Sequence, residues 1–326
     1  MQLPSLAEIE SAAETVYAAM PPTPQYCWPL LSDRAGAEVW VKHENHTPTG
    51  AFKVRGGLVY LDDLVRNRPD VRRVVTATRG NHGQSIAFAA RQRGLQATIF
   101  VPEGNAREKN AAMRSFGAEL VVTGHDFQES RERAEAMVEE QDLYMVASFD
   151  PRLVRGVASY PLELFRAVHD LDTVYVPIGL GSGISATIAA RDALGLKTEV
   201  VGVVAENAAA YKLSFEAGRP VSTNSSVTLA DGMACRVQEP DAVEIILQGA
   251  ARVVALSEAE IADAMRAFYT DTHNLAEGAG AAAYGALLQE RERMGGKKVA
   301  VMLCGGNVDA DVFAKILSAK LETETA

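Results

Sequence analysis

The feature that most constrains the fold is an alternation of short, β-branched apolar runs with amphipathic stretches along most of the chain. Such alternation predicts an α/β fold with twisted, largely parallel sheets flanked by helices. The predicted buried strands are residues 71–76, 97–101, 119–122, 173–177, 199–205 and 299–304. The predicted helices include residues 83–94, 127–140, 186–194, 258–274 and the alanine-rich stretch 276–286.

Domain organisation follows from length and from two loops. A chain of 326 residues predicts about two domains. No linker rich in proline, glycine or serine marks a boundary, so the loops around residues 47–50 and 149–156 are the candidates. We therefore predict a large domain from residues 1–48 and 150–326, a small domain from residues 49–149, and an active site in the cleft between them.

Charge and cysteine content exclude several classes of function. There are 32 Lys and Arg against 42 Asp and Glu, a net charge of −10, which disfavours nucleic acid or a membrane as partner. No apolar run approaches the roughly 18 residues of a membrane-spanning helix, and the first residues lack the basic region of a signal peptide. Cys27, Cys235 and Cys304 are widely scattered, as in proteins of a reducing compartment. We expect a cytoplasmic protein.

A glycine-rich loop follows the predicted strand at residues 173–177. Residues 179–186 read G-L-G-S-G-I-S-A and lead into a helix. Small residues at a helix N-terminus let backbone N–H groups bind an anion, and a phosphate is the natural occupant. The same letters fit G-x-G-x-x-A, and Glu206 follows about 25 residues on, as in a dinucleotide-binding fold. From the loop alone, a phosphate cradle and a nicotinamide dehydrogenase both remain open.

One lysine lies in an unusually apolar segment. Lys53 opens a helix after a Pro/Gly turn, with Phe52 and Val54 on either side. Partial burial of a lysine lowers its pKa and makes its neutral amine available for a Schiff base with an aldehyde.

Six segments resemble, in order, the motifs of the threonine/serine dehydratase group of fold-type II pyridoxal-phosphate enzymes, whose fold is that of the tryptophan synthase β chain. Residues 48–56, P-T-G-A-F-K-V-R-G, resemble its cofactor-lysine motif, and residues 78–84, T-R-G-N-H-G-Q, its S-S-G-N-H-G-Q motif. The other four segments are residues 179–183 (the glycine loop), 228–232 (T-L-A-D-G), 277–281 (E-G-A-G-A) and 304–307 (C-G-G-N). Agreement over nearly the whole chain disfavours the dehydrogenase.

The resemblance implies pyridoxal 5'-phosphate as the cofactor. It implies that Lys53 forms a Schiff base with the cofactor and acts as the base at the substrate α-carbon. By the same resemblance Phe52 packs beneath the cofactor ring and Asn81 hydrogen-bonds its 3-oxygen. The full implied set of cofactor-binding residues is Lys53, Phe52, Asn81, Gly179, Leu180, Gly181, Ser182, Gly183, Glu277 and Cys304.

The second motif is implied to bind the substrate, through Thr78, Arg79, Gly80, Asn81 and His82. Backbone N–H groups around residues 80–82 would hold the substrate carboxylate, and His82 itself is expected to be structural. Cys304 aligns with a serine that contacts the ring nitrogen. A thiol is a neutral partner, which disfavours transamination and favours prompt loss of a β-leaving group.

Three departures from the family pattern bear on substrate and metal. Arg79 replaces a serine; a guanidinium is a poor proton shuttle, so racemisation is disfavoured. Facing the pocket, Arg79 would pair with a substrate carboxylate or stack on an aromatic substituent; the alternative is that it points to solvent. Residues 156–159, G-V-A-S, replace G-Q-G-T, which predicts an altered pocket wall. Glu206 matches a metal-binding glutamate of some relatives, but residues 207–215 contain no acid and do contain Lys212. We expect no metal, with the Lys212 ammonium in its place.

The predicted function is elimination of water from a β-hydroxy-α-amino acid of the phenylserine, threonine or serine type, giving a 2-oxo acid and ammonia. The variant at residues 78–81 resembles phenylserine and hydroxyectoine-pathway dehydratases, and phenylserine is the most specific expectation. The alternatives are a dehydratase of hydroxyectoine or hydroxyaspartate catabolism, a β-substituting enzyme, a serine/threonine racemase, and a ligand sensor without turnover. Relatives are dimers or tetramers, which implies a homo-oligomer.

Overall fold

The computed structural model describes residues 1–141 and 143–319. The α-helices of these residues are α1 (Leu6–Tyr17), α2 (Pro29–Ala35), α3 (Lys53–Asn67), α4 (Asn81–Gln92), α5 (Arg107–Ser115), α6 (Phe127–Gln141), α7 (Pro151–Val157), α8 (Ser159–Ala167), α9 (Ser182–Ala193), α10 (Ala210–Ala217), α11 (Pro240–Gly249), α12 (Glu258–Thr272), α13 (Gly278–Gln289), α14 (Arg291–Met294) and α15 (Ala310–Ser318). The strands are β1 (Gln25–Cys27), β2 (Glu38–His43), β3 (Arg73–Ala77), β4 (Gln96–Val101), β5 (Glu119–Val122), β6 (Tyr144–Met145), β7 (Thr173–Pro177), β8 (Glu199–Ala205), β9 (Arg252–Leu256) and β10 (Lys298–Leu303).

The larger sheet has six strands in the order β1-β2-β10-β7-β8-β9. β1 runs antiparallel to β2, and the remaining pairs are parallel. Both faces are covered by helices, because Val299, Val301 and Leu303 of β10 belong to one core while Ala300 and Met302 belong to the other. The predicted α/β class with largely parallel sheets is confirmed.

The smaller sheet has four parallel strands in the order β5-β4-β3-β6. Residues of α3 and α4 pack against one face, around Ile86 and Leu61, and Ala134 of α6 packs against the other. Each of the six predicted strands is present, within two residues of its predicted ends.

Local sequence signals account for several helix ends. α1 and α12 both begin with a capping box, in which Ser5 pairs with Glu8 and Ser257 pairs with Glu260. α2 ends at Gly36, whose left-handed backbone (φ 65°) glycine adopts without steric cost.

The two sheets are tied together by α1. Ile9 of this helix packs in a core of the larger sheet, whereas Ala12, Val16 and the nearby Met20 pack with the smaller sheet. The division into residues 1–48 with 150–326 and residues 49–149 therefore stays a prediction. Across the described residues, the structure contains no helix with the length and apolarity needed to cross a membrane.

Candidate active site

Three loops meet at the carboxyl ends of parallel strands, where α/β sheets commonly bind ligands. They follow β3, β7 and β10, and carry residues 78–82, 179–183 and 304–307. A cavity of about 800 Å³ lies between them. Every predicted cofactor- and substrate-binding residue lines this cavity, from Phe52 and Lys53 to Glu277 and Cys304.

Backbone pairing brings the first and last motifs together. The N–H of Phe52 donates to the carbonyl of Cys304 at 3.0 Å, Ala51 pairs with Gly305, and the N–H of Gly306 donates to the carbonyl of Gly50. Gly50 has φ 67°, and a Cβ there would lie 2.5 Å from the Asn307 side chain, so glycine is required. Lys53, the first residue of α3, is thereby held beside Cys304.

Lys53 is a half-buried residue whose amine lies in the cavity. Its Nζ donates to the Ser182 hydroxyl at 2.9 Å and lies 5.1 Å from the centre of the Phe52 ring. Desolvation of the amine lowers the pKa of Lys53 to about 8, and the nearby Cys304 opposes this effect. A substantial fraction of this amine is therefore neutral near physiological pH.

Two glycines of the loop lie so close to neighbouring residues that a side chain at either position would have no room. Gly181 has φ 98°, and a Cβ there would lie 2.5 Å from the Cβ of Ala242. A Cβ at Gly179 would lie 2.3 Å from the carbonyl oxygen of Gly232. The loop carbonyl of Leu180 accepts a hydrogen bond from the Tyr211 hydroxyl at 2.9 Å. Bare backbone at the start of α9 is thus presented to the cavity.

The start of α4 presents a second anion-binding position. The Thr78 hydroxyl accepts from the N–H groups of Gly80 (2.9 Å) and Gly83 (3.3 Å). The N–H of Gly80 therefore donates within the protein, and its part in carboxylate binding stays a prediction. The N–H groups of Asn81 and His82 have no hydrogen-bond partner within the described part of the chain.

Asn81 is fixed by two partners. Its Nδ2 donates to Glu277 Oε1 at 2.6 Å, and its Oδ1 accepts from Asn307 Nδ2 at 2.9 Å. Glu277 Oε2 in turn accepts from Lys109 Nζ at 2.9 Å. Burial raises the pKa of Glu277, although the Lys109 ammonium opposes this effect.

Two other groups at the cavity are held neutral. Burial, with a smaller contribution from the Lys53 charge, lowers the pKa of His82 to about 3. Burial and the nearby Glu277 raise the pKa of the Cys304 thiol. His82 Nε2 is buried and has no hydrogen-bond partner in residues 1–141 and 143–319.

Arg79 lines the cavity and is half-buried. Its guanidinium forms no hydrogen bond or ion pair with any residue that the structure describes. By contrast, Arg131 and Arg236 at the same cavity pair with Glu135 and Asp126. Of the two orientations that the sequence left open for Arg79, this placement agrees with the one that faces the pocket. Apolar side chains that also line the cavity include Phe127, Leu180, Val227 and Val237.

Two predictions about the surroundings are wrong. Residues 156–159 do not line the cavity; they lie behind α3, where a Cβ at Gly156 would lie 2.4 Å from the Arg55 carbonyl and Ser159 accepts from Arg55 at 2.9 Å. Lys212 does not stand in for a metal beside Glu206, because its ammonium pairs with Glu216 on the same helix.

Lys109 was not predicted from the sequence, and neither Asp231 nor Asn307 was assigned a role. Asp231 and Asn307 lie inside two of the family motifs, residues 228–232 and 304–307, so the motifs were a signal that could have identified them. Lys109 had only the signal of a lysine that follows the strand β4 and a Pro/Gly turn. Among the described residues there is no group of three or more His, Cys, Asp or Glu side chains arranged to hold a metal.

The family described as "Pyridoxal-phosphate dependent enzyme" matches residues 16–305. The chain belongs to this family. It therefore uses pyridoxal 5'-phosphate, and the predicted cofactor and fold type are confirmed. The glycine loop accordingly belongs to a pyridoxal-phosphate enzyme and not to a nicotinamide dehydrogenase.

Similar members of the pyridoxal-phosphate family include lyases and racemases. The L-threonine ammonia-lyase of Thermotoga maritima is 32% identical over 318 residues, covering 96% of this chain and 78% of that protein. Threonine deaminase isoform 2 of Solanum lycopersicum superposes with a TM-score of 0.86 at 26% identity, covering 96% and 93% of the two chains. A pyridoxal 5'-phosphate-dependent aspartate racemase gives 0.90 at 26% identity, covering 95% and 98%. This chain is threonine dehydratase-like.

The residues present fit the family's cofactor. An amine of lowered pKa suits its aldehyde, and the bare backbone at Gly179 and Gly181 suits its phosphate. The unpartnered Nε2 of His82 adds a polar atom that a ligand in the cavity can satisfy.

Proposed function

We propose that this protein eliminates water from a β-hydroxy-α-amino acid, giving a 2-oxo acid and ammonia. The observation that carries the proposal is Lys53, a half-buried lysine with a pKa of about 8 whose Nζ lies 2.9 Å from the Ser182 hydroxyl at the start of α9. Such an amine both condenses with an aldehyde and accepts a proton near neutral pH. Its location between the glycine loop and Cys304 supports the proposal.

In this proposal the bound cofactor supplies an aldehyde and a conjugated ring that stabilises negative charge at the substrate α-carbon. Lys53 would take the α-proton, and Phe52 would pack against the cofactor ring. The Asn81 amide, fixed by Glu277, would hydrogen-bond the 3-oxygen of the ring. The residues that would hold the phosphate are those of the glycine loop, Gly179, Leu180, Gly181, Ser182 and Gly183.

The start of α4 is proposed to bind the substrate carboxylate. The N–H groups of Asn81 and His82 are unpartnered within the described residues, and a helix N-terminus favours an anion. Thr78 holds the preceding turn in place through its bond to Gly80. The carboxylate is thereby kept close to Lys53, which lines the same cavity.

Cys304 favours elimination over transamination in this proposal. Its thiol is neutral, because burial and Glu277 raise its pKa. A neutral partner does not hold a proton on the ring nitrogen as a carboxylate does. Charge at the α-carbon is therefore stabilised less, and early departure of the β-hydroxyl is favoured.

Racemisation is disfavoured at this site. It requires an acid on the second face of the α-carbon, where Arg79 replaces serine. A guanidinium exchanges its proton poorly. His82 has a pKa of about 3, so its imidazole is neutral near pH 7 and is a poor proton donor.

Phenylserine is the substrate that we propose first. The apolar side chains of Phe127 and Leu180 line the cavity. Arg79 would stack on the phenyl ring. A β-hydroxy dicarboxylic acid such as 3-hydroxyaspartate is the second candidate, because Arg79 lacks an anionic partner among the described residues and a similar structure is an aspartate racemase.

We further propose a cytoplasmic homo-oligomer. The location rests on the three scattered cysteines, which are typical of a reducing compartment. The oligomer is expected from the resemblance to dimeric and tetrameric relatives.

Turnover of DL-threo-phenylserine, threonine, serine and 3-hydroxyaspartate by the purified holoenzyme tests the function. Ammonia release and the near-visible absorption band are followed together. R79M should lower kcat/KM for phenylserine by about tenfold if Arg79 stacks, and for 3-hydroxyaspartate by about a hundredfold if it pairs with a carboxylate.

The matched control is R131M, because Arg131 also lines the cavity but is already paired with Glu135. Its kcat/KM should stay near that of the unchanged enzyme. Efficient use of threonine with no turnover of either larger substrate would reject the specificity proposal. Absence of ammonia from all four substrates would reject the dehydratase.

A further inference from the structure

Helix α5 carries one buried lysine on an otherwise polar helix. Its sequence is REKNAAMRS, and only Lys109 and Met113 are buried. Lys109 is 3% exposed, and a lysine is rarely buried unless its charge is paired. The burial of Lys109 therefore calls for a physical account.

The ammonium of Lys109 lies between two carboxylates. Nζ donates to both oxygens of Asp231, at 2.9 and 2.7 Å, and to Glu277 Oε2 at 2.9 Å. Together these bonds use the three N–H donors of the ammonium. The two carboxylates raise the pKa of Lys109 despite its burial, so the charge is retained.

The stem of Lys109 also touches the turn that begins α4. A Cβ placed on Gly80 would lie 2.3 Å from Lys109 Cδ. The chain at Gly80 therefore lies directly against the lysine, one residue before Asn81. Glycine at position 80 is required by this close approach.

The contacts continue to the Asn81 amide. The second oxygen of Glu277, Oε1, accepts from Asn81 Nδ2 at 2.6 Å, and Asn307 donates to Asn81 Oδ1. These two bonds determine which end of the amide is the nitrogen. One N–H of Nδ2 points to Glu277, and the other remains for a ligand in the cavity, which Asn81 lines.

The charge on Lys109 maintains this arrangement. Glu277 is 2% exposed, and burial raises its pKa while the ammonium lowers it. Without the ammonium, Glu277 would lie buried near Asp231 with no cation, and protonation would become favoured. A protonated carboxyl is a weaker acceptor and can donate, so it would no longer define the orientation of Asn81.

Docking of α5 is secured at its N-terminus. Asp309 accepts from the N–H groups of Arg107 and Glu108, both at 3.0 Å, and Glu108 accepts from the N–H of Ala310. Lys109 thus contacts Glu277 from a helix that also binds the segment following β10.

We propose that Lys109 is a positioning residue which, when α5 docks against Asp231 and Glu277, sets the orientation of the Asn81 amide toward the cofactor. The inference rests on the proposed role of Asn81 and not on which β-hydroxy amino acid is the substrate. Docking of α5 and alignment of the cofactor are thereby coupled through one ammonium group.

The test compares K109M, K109R and K109M/E277Q as holoenzymes. K109M should weaken cofactor binding about tenfold and displace the near-visible absorption maximum. K109M/E277Q should regain most of the affinity and the original maximum, because the side-chain amide introduced by E277Q offers Asn81 a neutral acceptor that needs no cation. K109R, which keeps the charge, should lie between the unchanged enzyme and K109M.

R114M is the matched control, because Arg114 lies on the same helix, is exposed, and forms no ion pair with any residue that the structure describes. Its absorption maximum and cofactor affinity should not change. The proposal is overturned if folded K109M keeps the unchanged spectrum and affinity, even with a lower thermal midpoint. If K109M does not fold, the double variant decides: tight cofactor binding supports the coupling, and no recovery overturns it.

These readouts separate this inference from the proposed function. The spectrum and the cofactor affinity are measured without substrate, so they do not depend on dehydratase activity. If the protein turned over none of the β-hydroxy amino acids, the absorption spectrum of K109M could still be compared with that of the unchanged holoenzyme, and the inference about Lys109 would still be tested.

Discussion

At the scale of single residues, burial sets which groups around the cavity are charged. Lys53 has a pKa of about 8 and loses its proton more readily than a solvent-exposed lysine. His82 has a pKa of about 3, so its imidazole stays neutral until the pH falls to near that value. Lys109 remains charged because two carboxylates outweigh its burial. Two lysines near one cavity therefore have opposite properties, and only Lys53 offers a free amine.

Cofactor uptake by the apoprotein should follow the titration of Lys53. Only the neutral amine attacks an aldehyde, so the rate should rise about fivefold from pH 7 to pH 8 and level off above about pH 9. Stopped-flow growth of the near-visible band after addition of pyridoxal 5'-phosphate measures this rate. Nα-acetyl-lysine is the control, and its rate should still rise about tenfold per pH unit to pH 10. The same continued rise for the protein would contradict a lowered pKa of Lys53.

The three cysteines should differ sharply in alkylation. Cys27 is exposed, whereas Cys235 and Cys304 are buried. Burial, with a smaller effect of Glu239, raises the pKa of Cys235 to about 12, and the pKa of Cys304 is also raised. Iodoacetamide at pH 8 should modify Cys27 first, by more than about tenfold in rate. Peptide mass spectrometry reads the order, and early labelling of Cys304 would show that its thiol is accessible.

Single residues were predictable where a motif contained them and not otherwise. Lys53, Asn81 and the glycine loop line the cavity as expected, because each belongs to a motif whose spacing fixes its environment. Lys109 was not predicted as a site residue, because a lysine on a polar helix normally faces solvent. Its partners Asp231 and Glu277 are 122 and 168 residues away in the chain, a distance over which local pattern carries no information.

At the scale of elements, the site depends on how closely turns approach their neighbours. Gly181 has φ 98° and leaves no room for a Cβ next to Ala242. Gly195 also has a left-handed backbone, φ 65°, but nothing lies within 4 Å of its Cβ position. Substitution of Gly181 and of Gly195 therefore distinguishes the cost of backbone strain alone from the cost of strain plus steric contact.

G181A should cost about 2–4 kcal/mol of stability, from left-handed strain plus overpacking against Ala242. G195A should cost only the strain, about 1–2 kcal/mol. Urea unfolding of both variants provides the measurement, and cofactor titration should show weaker binding for G181A alone. Equal losses of stability would mean that the loop yields to the added methyl group.

Strands were predicted where apolar runs were long and missed where they were short or polar. β1 has three residues and is partly exposed, and β6 has two. β2 carries Glu38, Lys42 and His43, of which the last two are buried with hydrogen-bond partners that lie elsewhere in the chain. β9, with its Val-Val run, had an apolar signal that was not used. Strand order could not be predicted, because it depends on pairing across long separations.

At the scale of the whole molecule, a buried ionic cluster connects three elements. Arg55 of α3 donates to Glu44 at 2.7 Å and to Glu163 of α8 at 2.6 Å, and Lys42 of β2 donates to Glu163 at 2.6 Å. Arg55, Lys42 and Glu44 are fully buried. The cluster fixes the helix that begins with Lys53 relative to the larger sheet.

Removal of Arg55 should therefore be costly. R55M leaves two buried carboxylates with a single cation, and about 3–5 kcal/mol of stability should be lost. R131M removes an exposed ion pair on α6 and should change stability by less than about 0.5 kcal/mol. Thermal and urea unfolding of both variants measure the difference. A loss of under about 1 kcal/mol for R55M would mean that water reaches and solvates the cluster.

The position of β10 has a consequence for synthesis. This strand lies between β2 and β7, so β1 and β2 join the rest of their sheet only after β10 has been synthesised. The residues that flank Lys53 form backbone bonds with residues 304–306, which are synthesised long after Lys53. A nascent chain that stops before β10 lacks these bonds and has no complete site for the aldehyde. Cofactor loading therefore requires synthesis of the chain through residue 306.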